Sequence, residues 1–255
     1  MGLLLSLRSE TLKTKRTASF YLAIAGAAFG PLMSLLDVLL DEGITANDQD
    51  LYLAKMFTTK FQMVGFLVFP IFIILITTLL AQTEYKNNAW KQVLTSPQTK
   101  LSIFVAKFIN VHRLILVFLI ATQFFTLVNA VIIHFTHPWL NLFSQPLDVA
   151  AVIRTLTDSY VSLLALCVIQ FWLGLRFRNF IAPIGIGIGL WFIGSVMMLE
   201  VETPIARYFP YSFHVYSTFP DYKAGLNTVH LMSVIYAVVF LLIGFADFRS
   251  RRMSG

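Results

Sequence analysis

The chain has 255 residues, of which 57% are hydrophobic and only 13% charged, roughly half the charged share of a typical soluble domain. So little polar surface excludes a water-soluble fold, and the apolar residues stand in long blocks between short polar stretches, so the surrounding medium is lipid. The formal charge of +6 does not mark a nucleic-acid binder, because the basic residues sit at block ends and form no continuous basic face.

The first residues combine Leu4, Leu5 and Leu12 with Arg8, Lys13, Lys15 and Arg16, which predicts a short helix lying in the membrane interface. The apolar run that follows, 18–40, is too long for a signal-peptide core and is expected to stay in the membrane. Further runs lie at 61–81, 114–135, 159–175, 181–199 and 229–246. Each approaches the roughly 20 residues that cross about 30 Å of hydrocarbon as a helix. The fourth is the shortest, and its start could reach back toward Val149. Continuous apolarity without a period of two favours helices over a β-barrel. The expected fold is an all-α membrane protein, one domain over 1–255 with six transmembrane helices.

All but five of the 19 Lys and Arg fall on one side of this arrangement; the exceptions are Lys55, Lys60, Arg154, Arg207 and Lys223. That bias predicts N- and C-termini in the cytoplasm and a multi-pass protein of the inner (cytoplasmic) membrane. Pro70 falls mid-span in the second helix and is expected to kink it. Pro183 suits a first turn, and Gly185, Gly187 and Gly189 point to close helix packing. Cys167 is the only cysteine, so no intrachain disulfide or thiolate cluster can form.

The cytoplasmic stretch 82–113 begins Glu84-Tyr85-Lys86-Asn87-Asn88-Ala89-Trp90-Lys91-Gln92. On a helix Tyr85, Ala89 and Val93 align, with Trp90 and Leu94 beside them and the polar residues elsewhere. The helix ends near Ser96-Pro97, and a second helical stretch with Ile103, Phe104, Lys107 and Phe108 leads into the third span. Two readings stand side by side: an interfacial helix held by Trp90 and Tyr85, or a lever that docks on a cytoplasmic partner. On the other side, 200–228 carries Tyr208, Phe209, Tyr211, Phe213, Tyr216, Phe219 and Tyr222. It is expected to fold back onto or into the outer leaflet, as an aromatic belt or as an outer gate.

Catalytic signatures are missing. No Gly-Lys dipeptide occurs, so there is no phosphate-cradling loop, and neither GxSxG nor HExxH is present. His134 and His137 are three apart but lack a nearby carboxylate or thiolate to complete a metal site. Within the spans the notable polar groups are Gln123, Asn129 and Gln170, which either line a pathway or hydrogen-bond between helices. Charges are confined to span ends, which argues against ion-coupled transport.

The stretches Ser9-Glu10-Thr11-Leu12-Lys13-Thr14-Lys15-Arg16 before the first span and Glu84 through Gln92 after the second resemble the permease subunits of ABC-2 type exporters. The lantibiotic-immunity and bacitracin-resistance branch is the most similar. The resemblance implies that Glu84, Tyr85, Lys86, Asn87, Asn88, Trp90 and Lys91 belong to a coupling helix docking on a separate ATP-binding subunit. It also implies short re-entrant helices before span six, with Tyr208, Phe209, Tyr211 and Phe213 at an outer gate. On this reading the chain itself binds no cofactor, ATP and magnesium sit in the partner, and two permeases, identical or related, form the pathway. The cargo would be a peptide antibiotic or another amphiphile. A membrane-embedded enzyme and a non-transporting scaffold are the rival readings.

Overall fold

The computed structural model describes residues 2–15, 17–40, 51–86 and 98–250; of the expected coupling helix, residues 87–97 lie outside them. Every regular element among the described residues is helical. The helices are α1 (Gly2–Thr14), α2 (Ala18–Leu39), α3 (Tyr52–Phe57), α4 (Thr59–Lys86), α5 (Lys100–Thr136), α6 (Val149–Ser162), α7 (Leu164–Arg176), α8 (Ile181–Leu199), α9 (Phe213–Thr218) and α10 (Leu226–Ser250). Short 3₁₀ turns at Pro138–Leu140, Leu142–Ser144, Pro204–Tyr208 and Pro220–Gly225 join them.

Five helices are long and apolar enough to cross a membrane: α2, α4 from Val64 onward, α5, α8, and α10 together with the preceding turn. The pair α6–α7, bent by 41°, makes a sixth span if the two count as one. Hydrogen bonds fix their alternation. Tyr85 Oη donates to Leu175 O at 2.6 Å, Gln82 Nε2 to Phe177 O at 3.1 Å, and Lys100 Nζ to Arg249 O at 2.8 Å. Arg176 pairs with Asp247 at 2.8 Å. The ends of α4, α7 and α10 and the start of α5 therefore share one end of the bundle, called here the charged end.

The centre of the bundle is α4. In its most apolar stretch 56% of residues are buried, against 22% for α2, α8 and α10. Phe69 and Phe72 stack on Phe118 of α5, with centroids 5.3 and 4.3 Å apart. The outward faces carry bare apolar side chains such as Leu231, Val238 and Leu242 on α10 and Ile186, Phe192 and Ile193 on α8. Such a surface is stable only where hydrocarbon replaces water.

Four features refine or depart from the sequence reading. The third span and the helical stretch before it are one element: α5 runs 37 residues, about 55 Å at 1.5 Å per residue, well beyond the membrane core. Thr99 starts it by accepting the Ser102 amide at 3.1 Å. The fourth span does reach back to Val149, but it is broken at Leu163. The cause of the break is a side chain of another helix. Ser233 Oγ of α10 donates to Val161 O at 2.6 Å and accepts from Ala165 N at 3.0 Å. It thus stands in for the hydrogen bond that the helix would otherwise make between those two groups.

Pro70 stands inside the second span, within the single helix α4, and a proline not singled out from the sequence, Pro31, lies inside α2. The glycines of α8 serve different ends. A Cβ on Gly187 would stand 2.2 Å from Gln170 Nε2 and 2.9 Å from Ile74 Cγ2, whereas Gly185 and Gly189 have nothing within 4 Å. A spacing of two turns alternate residues by about 200° on a helix, so of these three only Gly187 serves close packing within this chain; further along α8, Gly194 does so too, since a Cβ there would fall 2.6 Å from the Tyr211 carbonyl oxygen.

Candidate functional site

At the charged end, α1 lies across the start of α5 with its polar stripe inward. Ser6, Glu10 and Thr14 are buried, while Leu4, Leu5 and Leu12 are exposed. The stripe repeats every fourth residue, one face of a helix, and it meets polar partners. Thr14 Oγ1 accepts from Asn110 Nδ2 at 2.7 Å, and Ser6 Oγ donates to Gln98 Oε1 at 2.5 Å.

Between these contacts sits a cluster of four charges. Lys107 Nζ of α5 donates to both oxygens of Glu10 at 3.1 Å and to Glu84 Oε1 at 2.8 Å. Lys13 Nζ donates to Glu10 Oε1 at 3.1 Å and to the same Glu84 oxygen at 2.8 Å. Glu84 is 2% exposed and Lys107 5%, so these ions are compensated by one another rather than by solvent. Burial alone would lower the Lys13 pKa, but its hydrogen bond to Glu84 and the charges of Glu10 and Glu84 outweigh that, and the ammonium is held above its ordinary value. By linkage, the stability Lys13 contributes is fully present below the ordinary lysine pKa and is lost only as pH rises through the folded one.

This arrangement ties three elements that are remote in sequence: α1, the last turn of α4 and the first turns of α5. Both roots of 87–97 are held against α1, one through Glu84 and Lys13 and the other through Gln98 and Ser6. Of the expected docking residues, Glu84 and Tyr85 direct their polar atoms into the protein, onto the lysines and onto Leu175 O. Lys86 ends α4, and Asn87, Asn88, Trp90 and Lys91 lie outside the described residues.

Of the polar span residues, Gln170 is fully buried and donates to Tyr211 Oη at 2.9 Å, joining an expected pathway residue to an expected gate residue. Asn129 Nδ2 donates to Pro31 O at 3.0 Å. Both amide atoms of Gln123 are buried without a partner among the described residues. In the stretch 200–228, Tyr208 is 49% exposed, and its carbonyl accepts from Tyr236 Oη at 3.0 Å. Phe209 is half-buried, Tyr211 is 2% exposed and Phe213 fully buried. The helix α9 is enclosed along its length among α4, α6, α8 and α10. His214 Nε2 accepts from Trp191 Nε1 at 3.1 Å, and Phe66 packs on both His214 and Phe219. Among the described residues no group of three His, Cys, Asp or Glu could hold a metal ion.

The lysine partners of Glu84 and the hydroxyl inserted at Leu163 were not foreseen. A signal for the first existed in Glu10, Glu84 and Lys107, charged residues next to or within apolar runs. For Ser233 the sequence carries none.

Long apolar helices alternating in direction, with bare hydrocarbon faces, define a multi-pass membrane protein. The chain matches the family described as ABC-2 family transporter protein over residues 6–194, from α1 into α8, and it belongs to that family. Comparison with curated proteins finds no match. The stretch with Tyr208 through Phe213 lies beyond the matched residues.

Proposed function

We propose that the chain is the membrane-spanning permease subunit of an ABC exporter, driven by a separate ATP-binding subunit that holds ATP and magnesium. The termini lie in the cytoplasm and the charged end of the bundle faces inward. Residues 87–97, with Trp90 and Lys91, form the lever on which the ATPase acts, while Glu84 and Tyr85 root that lever in the bundle. The observation that carries this reading is the bracing of both roots of the segment against α1 by buried polar contacts. A push on the segment reaches α1, α4 and α5 directly, and α7 through Tyr85. Moving a conformational equilibrium from 1:99 to 99:1 takes about 5.5 kcal/mol of bias, which a rooted lever can transmit and a loose loop cannot.

Two permeases form the pathway, and the open Gly185-x-x-x-Gly189 face of α8 allows the close approach of a second copy or a related subunit. The buried α9 is a re-entrant helix at the outer gate, opposed by Trp191, with Gln170 holding Tyr211 just before it. The cargo is a peptide antibiotic or another amphiphile, as in lantibiotic immunity. The test is co-purification of the tagged permease with an ATPase encoded beside it, together with transport-stimulated ATP hydrolysis. Trp90→Ala and Lys91→Glu are expected to lose stimulation while the permease stays folded. Full stimulation in both variants, or labelling of Trp90 from the cell exterior, would overturn the assignment.

A further inference from the structure

Toward the far end of the bundle a cleft of about 240 Å³ opens between α2, α4 and α5. Its origin is a pinch. A Cβ on Gly30 would fall 2.0 Å from Val64 Cγ2, so α2 and α4 touch at that point, and the cleft runs from there to Asp37 and Lys60. Its walls are mostly apolar, including Met33, Phe61 and Leu67.

The polar atoms within it are unusual. Asn129 is 3% exposed and Ser34 9%, yet Asn129 Oδ1 and Ser34 Oγ have no hydrogen-bond partner among the described residues. A buried acceptor in an apolar wall is costly unless a donor meets it. At the rim, Asp37 is exposed and no cation pairs with it among the described residues. It stands in the last turn of α2, which contains no basic residue, where the helix macrodipole opposes a negative charge. The neighbouring Lys60 is turned onto Tyr52, donating to its Oη at 2.9 Å and lying over its ring.

Every unmet group here except the Ser34 hydroxyl is an acceptor or an anion, and that hydroxyl can serve as either donor or acceptor. We propose that this cleft binds a single-chain amphiphile bearing a protonated amine, entering sideways from the bilayer. The ammonium lies between Asp37 and the Asn129 and Ser34 oxygens, and the first part of the chain lies along Phe61 and Val64. Whole drug-sized ligands occupy roughly 300–1,000 Å³, so a cleft of this size takes the head and adjoining chain and leaves the tail in lipid. The site deepens the exporter reading by giving the amphiphile a chemical class; its role as an entry point rests on that reading, whereas binding does not.

The test uses the full permease without ATPase in phosphatidylcholine nanodiscs and a long-chain primary amine carrying a diazirine in its chain. Illumination is expected to label peptides of α2 and α4 beside the cleft, with dodecylamine competing and dodecyl sulfate failing to compete. Asp37→Asn, at an exposed position that leaves the fold intact, is expected to weaken labelling about tenfold, the loss of one charge-assisted contact. Asn129→Leu should weaken it as well. Labelling spread evenly over the exposed faces of α8 and α10, equal competition by the sulfate, or unchanged labelling in Asp37→Asn would overturn the proposal. Because no ATPase is present, such a failure leaves coupled export standing, and a permease that binds the amine but recruits no ATPase sinks the exporter reading alone.

Discussion

Replacing Lys107 by Met keeps the length of the side chain and removes its charge, leaving Glu10 and Glu84 facing each other at the charged end. Lys107 supplies hydrogen bonds to both carboxylates, at 2.8 Å and 3.1 Å, from a position only 5% exposed. Breaking a buried ion pair on one side costs about 3–5 kcal/mol, because the partner charge stays buried and uncompensated. Lys13 remains 2.8 Å from Glu84, but its side chain is 36% exposed, so it offsets only part of the loss. The expected cost is therefore near the lower end, about 3 kcal/mol. For a chain of this length that corresponds to a fall of roughly 6–12 °C in Tm, read by thermal unfolding of the purified permease in detergent. Adding Glu10→Gln and Glu84→Gln to Lys107→Met removes the stranded charges and should recover most of the loss. A Tm for Lys107→Met equal to that of the unaltered chain, or a triple variant no more stable than the single one, would refute the assignment of this cluster as buried and mutually compensated.

Other substitutions probe the helix contacts. Gly187→Ala drives a methyl group into Gln170 and Ile74 and should destabilise by about 1–3 kcal/mol, whereas Gly189→Ala, with open space around it, should match or slightly raise the Tm. Ser233→Ala removes the hydroxyl that bridges the Val161 carbonyl and the Ala165 amide; with it gone the helix is expected to close the bond between those two groups and straighten, read by the distance between spin labels on α6 and α7, and an unchanged bend would reject the inserted hydroxyl as its cause. Tyr211→Phe removes the acceptor of the Gln170 amide and should cost about 1–3 kcal/mol. Gly185→Leu with Gly189→Leu should reduce permease association, measured by crosslinking in membranes, without lowering the Tm of the monomer.

Much of this protein was legible before any coordinates. Hydrocarbon tolerates only helices and closed barrels, in which every backbone group is satisfied, so long apolar runs without a period of two declare helices by composition alone, as with 181–199, which the fold reproduces as α8 residue for residue. Boundaries were less legible wherever an element leaves the membrane. The amphipathic start of α5 and its apolar continuation looked like two stretches because hydropathy reports the solvent around a helix, not its continuity. The glycine spacing in α8 showed that backbones can approach closely but not on which face, and the neighbours Gln170 and Ile74 decided that for Gly187 alone.

The candidate site divides in the same way. Sequence alone placed Glu84 and Trp90 on the segment after the second span, and the resemblance made both of them docking residues. Only the tertiary structure brings Glu84 beside Lys107 and Lys13, because three helix ends far apart in the chain meet there. It likewise joins Gln170 to Tyr211 and sets Ser233 into the ladder of another helix. Partition between water and lipid is a property of each segment and can be read from that segment, whereas compensation of a buried polar group is a property of pairs. The pairs exist only once the bundle has closed.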